Sequence, residues 1–415
     1  MSERLEQSEA LYQRALAVIP GGVYGHQNPA LLSRGSHPVF ISAAEGCRIE
    51  DPDGNRYIDL LCSYGPMVVG YRNPRVEGAV AEQLALCDSG NLPAPNMVEL
   101  AERLVGLTPD MDWAMFAKNG SDITTWSLAL ARESTGRELI LMAEGTYHGV
   151  HGWCNKSERG FLDSERGPVL TFPWNDLDRV DGLFKEHPDT IAALIVTPFR
   201  HEAGAPSEMP AEGFLEGIRE LCTRHGALMV VDDIRAGFRL HLGGSTQLWS
   251  VSPDMLLYSK ALANGYPLAA ILGTEELRRA ASKVFVTGTF WTQAAPIAAA
   301  LATLDELEAS DAVAHMDGVG RRLSDGLAGQ ASEAGLTVTM SGPPALPFMT
   351  FDEDTGGLSS DSFARSRRFA GNCAENGVFL HPLHNWFLST AHGTDDIDEI
   401  LAATTLAFEA VAREF

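Results

Sequence analysis

From about residue 97 the chain alternates segments of helical pattern with short, wholly apolar runs, and this alternation restricts the fold more than any other feature. Val98 to Val105 and Ile123 to Arg132 read as helices, whereas Trp113 to Phe116, Leu139 to Met142, Ala192 to Thr197, Ala227 to Val231 and Met255 to Tyr258 read as strands. Apolar runs that lack a polar alternation suit strands covered on both faces. Strands and helices taken in turn build a mostly parallel sheet flanked by helices, so the expected class is α/β. In such sheets ligands bind beyond the carboxyl ends of the strands, which is where chemistry is to be sought.

At 415 residues the chain exceeds one ordinary domain of roughly 100–200 residues. The pattern divides it into an N-terminal segment, 1–60, that joins a small domain, a large domain, 61–295, and a smaller C-terminal α/β domain, 296–415. Residues 3–18 carry Leu5, Tyr12 and Leu16 near helical spacing and stop at the breaker Pro20-Gly21-Gly22. The turn Asp51 to Asn55, DPDGN, punctuates a hairpin. An alanine- and leucine-rich helix, Ile297 to Leu307, opens the C-terminal domain, and Gly356 to Ser360 reads as a loop within it.

The formal charge of −24, from 55 acidic against 31 basic side chains, repels phosphate backbones and anionic lipid, which argues against nucleic acid and membrane surfaces as partners. No run approaches the roughly 20 apolar residues of a membrane span, and the N-terminus lacks a secretory apolar stretch. Six scattered cysteines without CxxC spacing offer neither a zinc site nor a redox motif, so no metal is expected. These features point to a cytoplasmic protein with small-molecule partners.

The densest chemistry lies between Leu228 and Pro267. One apolar strand ends in Asp232-Asp233 and the next ends in Ser259-Lys260. A carboxylate at the end of a buried strand carries a desolvation cost unless a cation faces it, and a protonated pyridine nitrogen is such a cation. A partly desolvated lysine beside it can form a Schiff base through its neutral amine. Upstream, Lys118-Asn119-Gly120-Ser121-Asp122 joins a strand to a helix, where the backbone N–H groups, the Ser121 hydroxyl and the helix N-terminus favour an anion.

PGGV (Pro20 to Val23), DPDGNRYIDL with YGPM (Asp51 to Met67), YHG (Tyr147 to Gly149), GFLEGIREL with HGALMVVDD (Gly213 to Asp233) and the SK pair resemble a fold-type I, class III aminotransferase over nearly the whole chain. Within that class the chain is similar to the glutamate-1-semialdehyde aminomutase group. The resemblance implies a fold-type I pyridoxal-phosphate transferase with a large mostly parallel sheet domain and a smaller C-terminal α/β domain. It implies Lys260 as the residue linked to pyridoxal 5'-phosphate, Asp232 at the pyridine nitrogen and Ile234 against the ring. Asn119, Gly120 and Ser121 would hold the phosphate, and Tyr147, next to His148, would lie over the ring. Thr289, in Thr287-Gly288-Thr289, would reach the cofactor phosphate of a neighbouring subunit, which makes a homodimer with its active site at the subunit interface.

The chain departs from the aminomutases at three places. Gly25 and Asn28 stand where that group has a serine and a carboxylate-gripping arginine, and Arg34 lies further on. His381 to Phe387 replaces an acidic residue and a Gly-Phe pair, and Thr197 replaces an acidic residue found in many relatives. The reading is therefore an aminotransferase that moves an amino group between an amine or amino-acid donor and a keto or aldehyde acceptor by a ping-pong mechanism. An aminomutase or racemase is the alternative, and an inactive binding relative is a third. Tyr24, His26, Arg200, His201, His384 and Trp386 are the substrate-contact candidates, with His381 beside them, and Arg235 and Arg239 are assigned to ion pairs.

Overall fold

The computed structural model describes residues 3–155, 157, 159–354 and 361–415; the loop expected at Gly356 to Ser360 lies outside them. The chain forms two compact units, one comprising Pro74–His201 and Glu208–Ala309, the other Met1–Asn73, Glu202–Ser207 and Ser310–Phe415.

The first unit is built on a seven-stranded sheet. Its strands are β1 (Trp113–Ala117), β2 (Leu139–Ala143), β3 (Val169–Phe172), β4 (Ile191–Val196), β5 (Leu228–Asp232), β6 (Met255–Tyr258) and β7 (Ala269–Gly273). They lie in the order β1-β7-β6-β5-β4-β2-β3. The last five strands of this order are parallel, and β7 runs antiparallel between β6 and β1. The unalternating apolar runs have the expected cause: every residue of β4, β6 and β7 is buried. Full burial of each such aliphatic side chain favours the fold by about 1.5–3 kcal/mol. Helix α1 (Pro74–Leu86), α2 (Asn96–Leu107), α3 (Gly120–Thr135), α4 (Phe214–His225) and α5 (Ala294–Ala309) belong to this unit. Ile123, Trp126 and Leu130 of α3 enter one core with Trp113, Ile140, Ile195, Val230 and Leu257.

Two elements differ from the sequence reading. Strand β7, AAILG, was not anticipated, because its alanines favour helix locally and only burial between two strands selects the extended form. Helix α5, assigned to the C-terminal domain, packs against α1 and α2 of the sheet unit. Its small buried residues, among them Ala295, Ala299 and Ala302, permit close approach, and Asp88 Oδ1 accepts the Ala295 N–H at 3.0 Å. The units consequently part at 309/310 and at 73/74.

In the other unit Ala43–Glu45, Arg48–Glu50 and Arg56–Asp59 form an antiparallel meander, with Val378–Phe379 added in parallel. Asp51 holds the DPDGN turn by accepting from the N–H groups of Asp53 and Asn55, both at 2.9 Å, and from the Tyr57 hydroxyl at 2.7 Å. Helices Ala312–Glu333, Ala364–Glu375 and Thr394–Glu414 complete it. A Cβ on Gly320 would stand 2.0 Å from the Pro344 carbonyl oxygen, a backbone atom that cannot swing aside. Gly320→Ala is expected to destabilise the protein by about 1–3 kcal/mol, read as a lowered denaturant midpoint; an unchanged midpoint would show that the helix can shift freely. Among the described residues no helix is long and apolar enough to cross a membrane.

Candidate active site

Strands β1, β2, β4, β5 and β6 all release their following loops at one edge of the sheet. Residues from those five loops line a single cleft with about 750 Å³ of empty space, open to solvent. This is the position at which a parallel sheet presents ligand-binding groups.

Asp232 closes β5 and is buried. Its Oδ1 accepts the Ile234 N–H at 3.2 Å, and His148 Nδ1 lies 2.7 Å from Oδ2. Because a carboxylate only accepts, the imidazole carries its proton on Nδ1. The Trp153 ring stacks on His148 at 6.1 Å, held in turn by its Nε1–H donating to Thr125 Oγ1 at 2.8 Å. Among the described residues His148 Nε2 is buried without a hydrogen-bond partner. The neighbouring Asp233 serves the scaffold instead: it accepts from Ser245 N (2.8 Å) and Ser245 Oγ (2.6 Å), and burial raises it to about 7.

Lys260 follows β6 with φ +47°, a left-handed conformation that costs about 1–2 kcal/mol in a residue with a side chain. The preceding Ser259 is tied down by its Oγ–H donating to the Leu268 carbonyl at 2.8 Å. The Lys260 side chain lines the cleft, and burial first, then the Arg235 charge, push its ammonium down to about 7 against the opposing pull of Asp232. Its amine is thus substantially neutral near pH 7, as a nucleophile requires.

Gly120 and Ser121 form the N-terminus of α3 and line the same cleft. A Cβ on Gly120 would meet Ile234 Cδ1 at 2.8 Å, so the glycine lets the Ile234 side chain close against the loop. Gly149, at φ +121°, likewise allows the loop after Tyr147 to approach Ser121, where a Cβ would lie 3.0 Å from the Ser121 Cα; Ser121 Oγ accepts the Val150 N–H at 3.2 Å. The result is a helix N-terminus with a hydroxyl and close backbone, suited to an anion.

The structure brings together Asp232, Ile234, Lys260, Gly120, Ser121, Tyr147, His148 and His201 along the cleft. Several expected residues do something else. The Asn119 side chain and N–H both bind Asp122 Oδ2, at 3.2 and 2.9 Å, as a helix cap rather than a cleft group. Arg200 is engaged by Glu208 and donates from Nε to the Glu144 carbonyl at 3.2 Å, which commits its guanidinium to the scaffold. Thr289 is exposed and does not line the cleft. Trp386 is a core residue, buried, with Nε1 donating to the His381 carbonyl at 3.0 Å and its ring in a T-shaped contact with Phe348. Tyr24, His26 and His384 belong to the other unit, where Tyr24 is exposed and the Tyr64 ring meets His26 at 4.3 Å and His384 at 5.3 Å.

The sequence reading of one cleft residue changes. Arg235, assigned to an ion pair, lines the cleft beside Asp232 and Lys260. Its place one residue after Ile234 was the available signal. Outside the cleft, in the other unit, Tyr64 donates its hydroxyl to the His26 carbonyl at 2.6 Å from a turn in which Cys62, Ser63, Tyr64 and Gly65 all have positive φ. Only Gly65 hinted at that backbone.

The chain matches the family described as Aminotransferase class-III over residues 31–391. It is 42% identical over 405 residues to the aminopentol aminotransferase of Sphingopyxis macrogoltabida, covering 98% of this chain and 94% of that protein. It is 32% identical over 431 residues to glutamate-1-semialdehyde 2,1-aminomutase 2 of Brevibacillus brevis, covering 99% of each. Among solved structures, the PLP internal aldimine form of the Sphingopyxis sp. MTA144 FumI protein superposes with a TM-score of 0.95 at 41% identity, covering 98% of this chain and 97% of that one. With the sheet, the cleft and these full-length likenesses in agreement, the chain belongs to the class-III aminotransferase family.

Proposed function

We propose that this chain is a pyridoxal-phosphate-dependent aminotransferase that carries an amino group from an amine or amino-acid donor to a keto or aldehyde acceptor in two half-reactions. The observation that carries the reading is the convergence in one cleft of a buried strand-end carboxylate, Asp232, and a lysine whose amine is near half-neutral at pH 7, Lys260. The residues present fit the cofactor: Gly120 and Ser121 offer the phosphate an anion site, Ile234 and Tyr147 offer apolar surface to a flat ring, and Asp232 offers a charge partner to its nitrogen. When bound, the cofactor supplies an aldehyde for amines and a protonated ring that accepts electron density. Asp232 would face the ring nitrogen and keep its proton in place, with His148 orienting the carboxylate through its Nδ1–H. Lys260 Nζ would hold the cofactor's aldehyde carbon and, when free, would be the base that moves the proton at the substrate carbon.

The greater identity to an aminotransferase than to an aminomutase favours intermolecular transfer. The test is to load the protein with pyridoxamine phosphate and offer a panel of keto acids and aldehydes. Return of the aldehyde-form absorbance with an acceptor is expected; a protein that turns over a single substrate yet answers no acceptor is an aminomutase or racemase. A second expectation concerns pH. Since the Lys260 pKa is lowered to about 7, the rate at which the apoprotein captures pyridoxal phosphate should rise as pH increases through about 7 and level off above it. A midpoint near 10 in stopped-flow absorbance would contradict a desolvated Lys260.

A homodimer is part of the proposal. Leu86, Leu92, Phe285 and Phe290 of the sheet unit are each exposed and would offer apolar side chains to a second copy, and Thr289, next to Phe290 in the chain and also exposed, would be available to the neighbouring cofactor phosphate. A cytoplasmic location is proposed with it, in keeping with six unpaired thiols, five of them buried.

A further inference from the structure

We infer that Trp153 is a positioning residue for the proposed reaction: its indole, tied to helix α3, fixes the His148 ring so that Nδ1–H stays on Asp232. The inference rests on the reading of Asp232 as the ring-nitrogen partner and names what keeps that carboxylate in place. The imidazole and indole planes lie within 18° of each other with centroids 6.1 Å apart, an offset stack. Trp153 sits in a turn, outside any helix or strand, so no regular element holds its ring. The hold comes from Thr125 of α3, whose Oγ1 accepts the indole N–H at 2.8 Å and lies 2.6 Å from His151 Nδ1. One hydroxyl thereby ties both ends of the turn 151–153 to the helix.

The preceding residue of the same helix holds the other half of the contact. Thr124, fully buried, donates its hydroxyl to the His148 carbonyl at 2.7 Å. Two consecutive threonines therefore fix His148 twice, through its backbone and through the ring that stacks on its side chain. The need for such a cover follows from the bonding of the imidazole. Nδ1 serves Asp232 at 2.7 Å, while Nε2 is buried and, among the described residues, has no hydrogen-bond partner. A water reaching Nε2 could donate or accept, and would suit either tautomer at that end. In the dry stack a proton on Nε2 would be a buried donor without an acceptor, and Nδ1 would then turn a lone pair toward the carboxylate. One tautomer is left, the one that donates to Asp232. Trp153 thus acts on the reaction only through His148 and Asp232, as a support that locks the groups touching the reacting centre.

The test combines kinetics of the holoenzyme with NMR of the histidine nitrogens in the full chain free of cofactor. Trp153→Ala should lower kcat about tenfold and leave the donor KM within about twofold, because a tilted His148 misplaces Asp232 and not the substrate. In an Asp232→Asn background the same substitution should cost less than about twofold, since the carboxylate it acts through is gone. Losses that multiply in the double variant overturn the inference and make Trp153 a packing residue. If Trp153→Ala does not fold, Thr125→Val, which cuts the tether and keeps a similar volume, is read in the same cycle. In the NMR spectra His148, identified by the signals lost in His148→Gln, should show a protonated Nδ1 and an unprotonated Nε2. In Trp153→Ala both signals should move toward the average of the two tautomers. Signals that stay in place overturn the inference whatever the kinetics. A parent protein without a visible cofactor band fails the cofactor reading instead, and the nitrogen signals still decide what Trp153 does.

Discussion

Lys260→Ala is expected to lower turnover by at least about 10⁴-fold and to remove the visible absorbance of the resting protein, while leaving the fold intact. The size follows from two functions lost together: covalent attachment of the aldehyde and the positioned base at the substrate carbon, the latter alone worth roughly 10²–10⁴. Stability should be little affected for a local reason. Lys260 already sits at φ +47°, and alanine in the same conformation bears the same backbone strain without a half-buried cation whose charge the cleft disfavours. Cofactor should still bind through the α3 N-terminus, since Gly120 and Ser121 are untouched. The decisive measurement is mass spectrometry after borohydride treatment. The parent should gain a cofactor mass on the peptide containing Lys260, and the variant should gain none. A modified peptide elsewhere in the parent, or turnover in the variant within tenfold of the parent, would end the assignment.

How much of this was legible in the sequence depends on whether a residue's role is local. The five strands that end at the cleft, β1, β2, β4, β5 and β6, could be placed because strands covered on both faces leave a largely apolar signature, and the residues next after them in the chain are the ones that meet at the sheet edge. Asp232, Lys260, Gly120, Ser121, Tyr147 and His148 were placed at this sheet edge in this way, helped by motifs that lie on those loops, and all six line the cleft. Strand β7 was missed because its alanines carry no strand preference and its identity comes from two neighbours distant in sequence. Arg200 and Trp386 were misplaced for the opposite reason. Each has a side chain well suited to a pocket, but Glu208 and the His381 carbonyl claim them, and such pairings are decided by packing that a linear reading does not contain. Asn119 shows the same competition at short range: Asp122, three residues on, takes the amide as a cap. Arg235 was visible as a residue but not as a cleft group, since the side on which a loop side chain emerges depends on the closure of Ile234 against Gly120.

Asp232→Asn should retain cofactor and lose on the order of 10²–10³-fold in kcat, because it removes a fixed charge from the place where the ring nitrogen's proton must be held. The substitution is nearly isosteric. Asn Oδ1 can still accept the Ile234 N–H, so the loop that carries Ile234 and Arg235 keeps its anchor. The contact with His148 changes character: a side-chain N–H facing Nδ1 must donate, which forces the imidazole proton onto Nε2, the atom now buried without a partner. Two effects then act in the same direction, loss of the charge and loss of the tautomer that oriented it. A separate readout distinguishes this from general damage. Asp232 favours the charged form of Lys260, so without it the Lys260 pKa should fall below its present value of about 7, and the pH midpoint for capture of pyridoxal phosphate by the apoprotein should move down rather than up. Damage that merely opened the cleft to water would move that midpoint toward the ordinary lysine range. A slow enzyme with a lowered midpoint supports Asp232 as the ring-nitrogen partner, and a midpoint that rises, or a kcat equal to the parent's, removes it from that role.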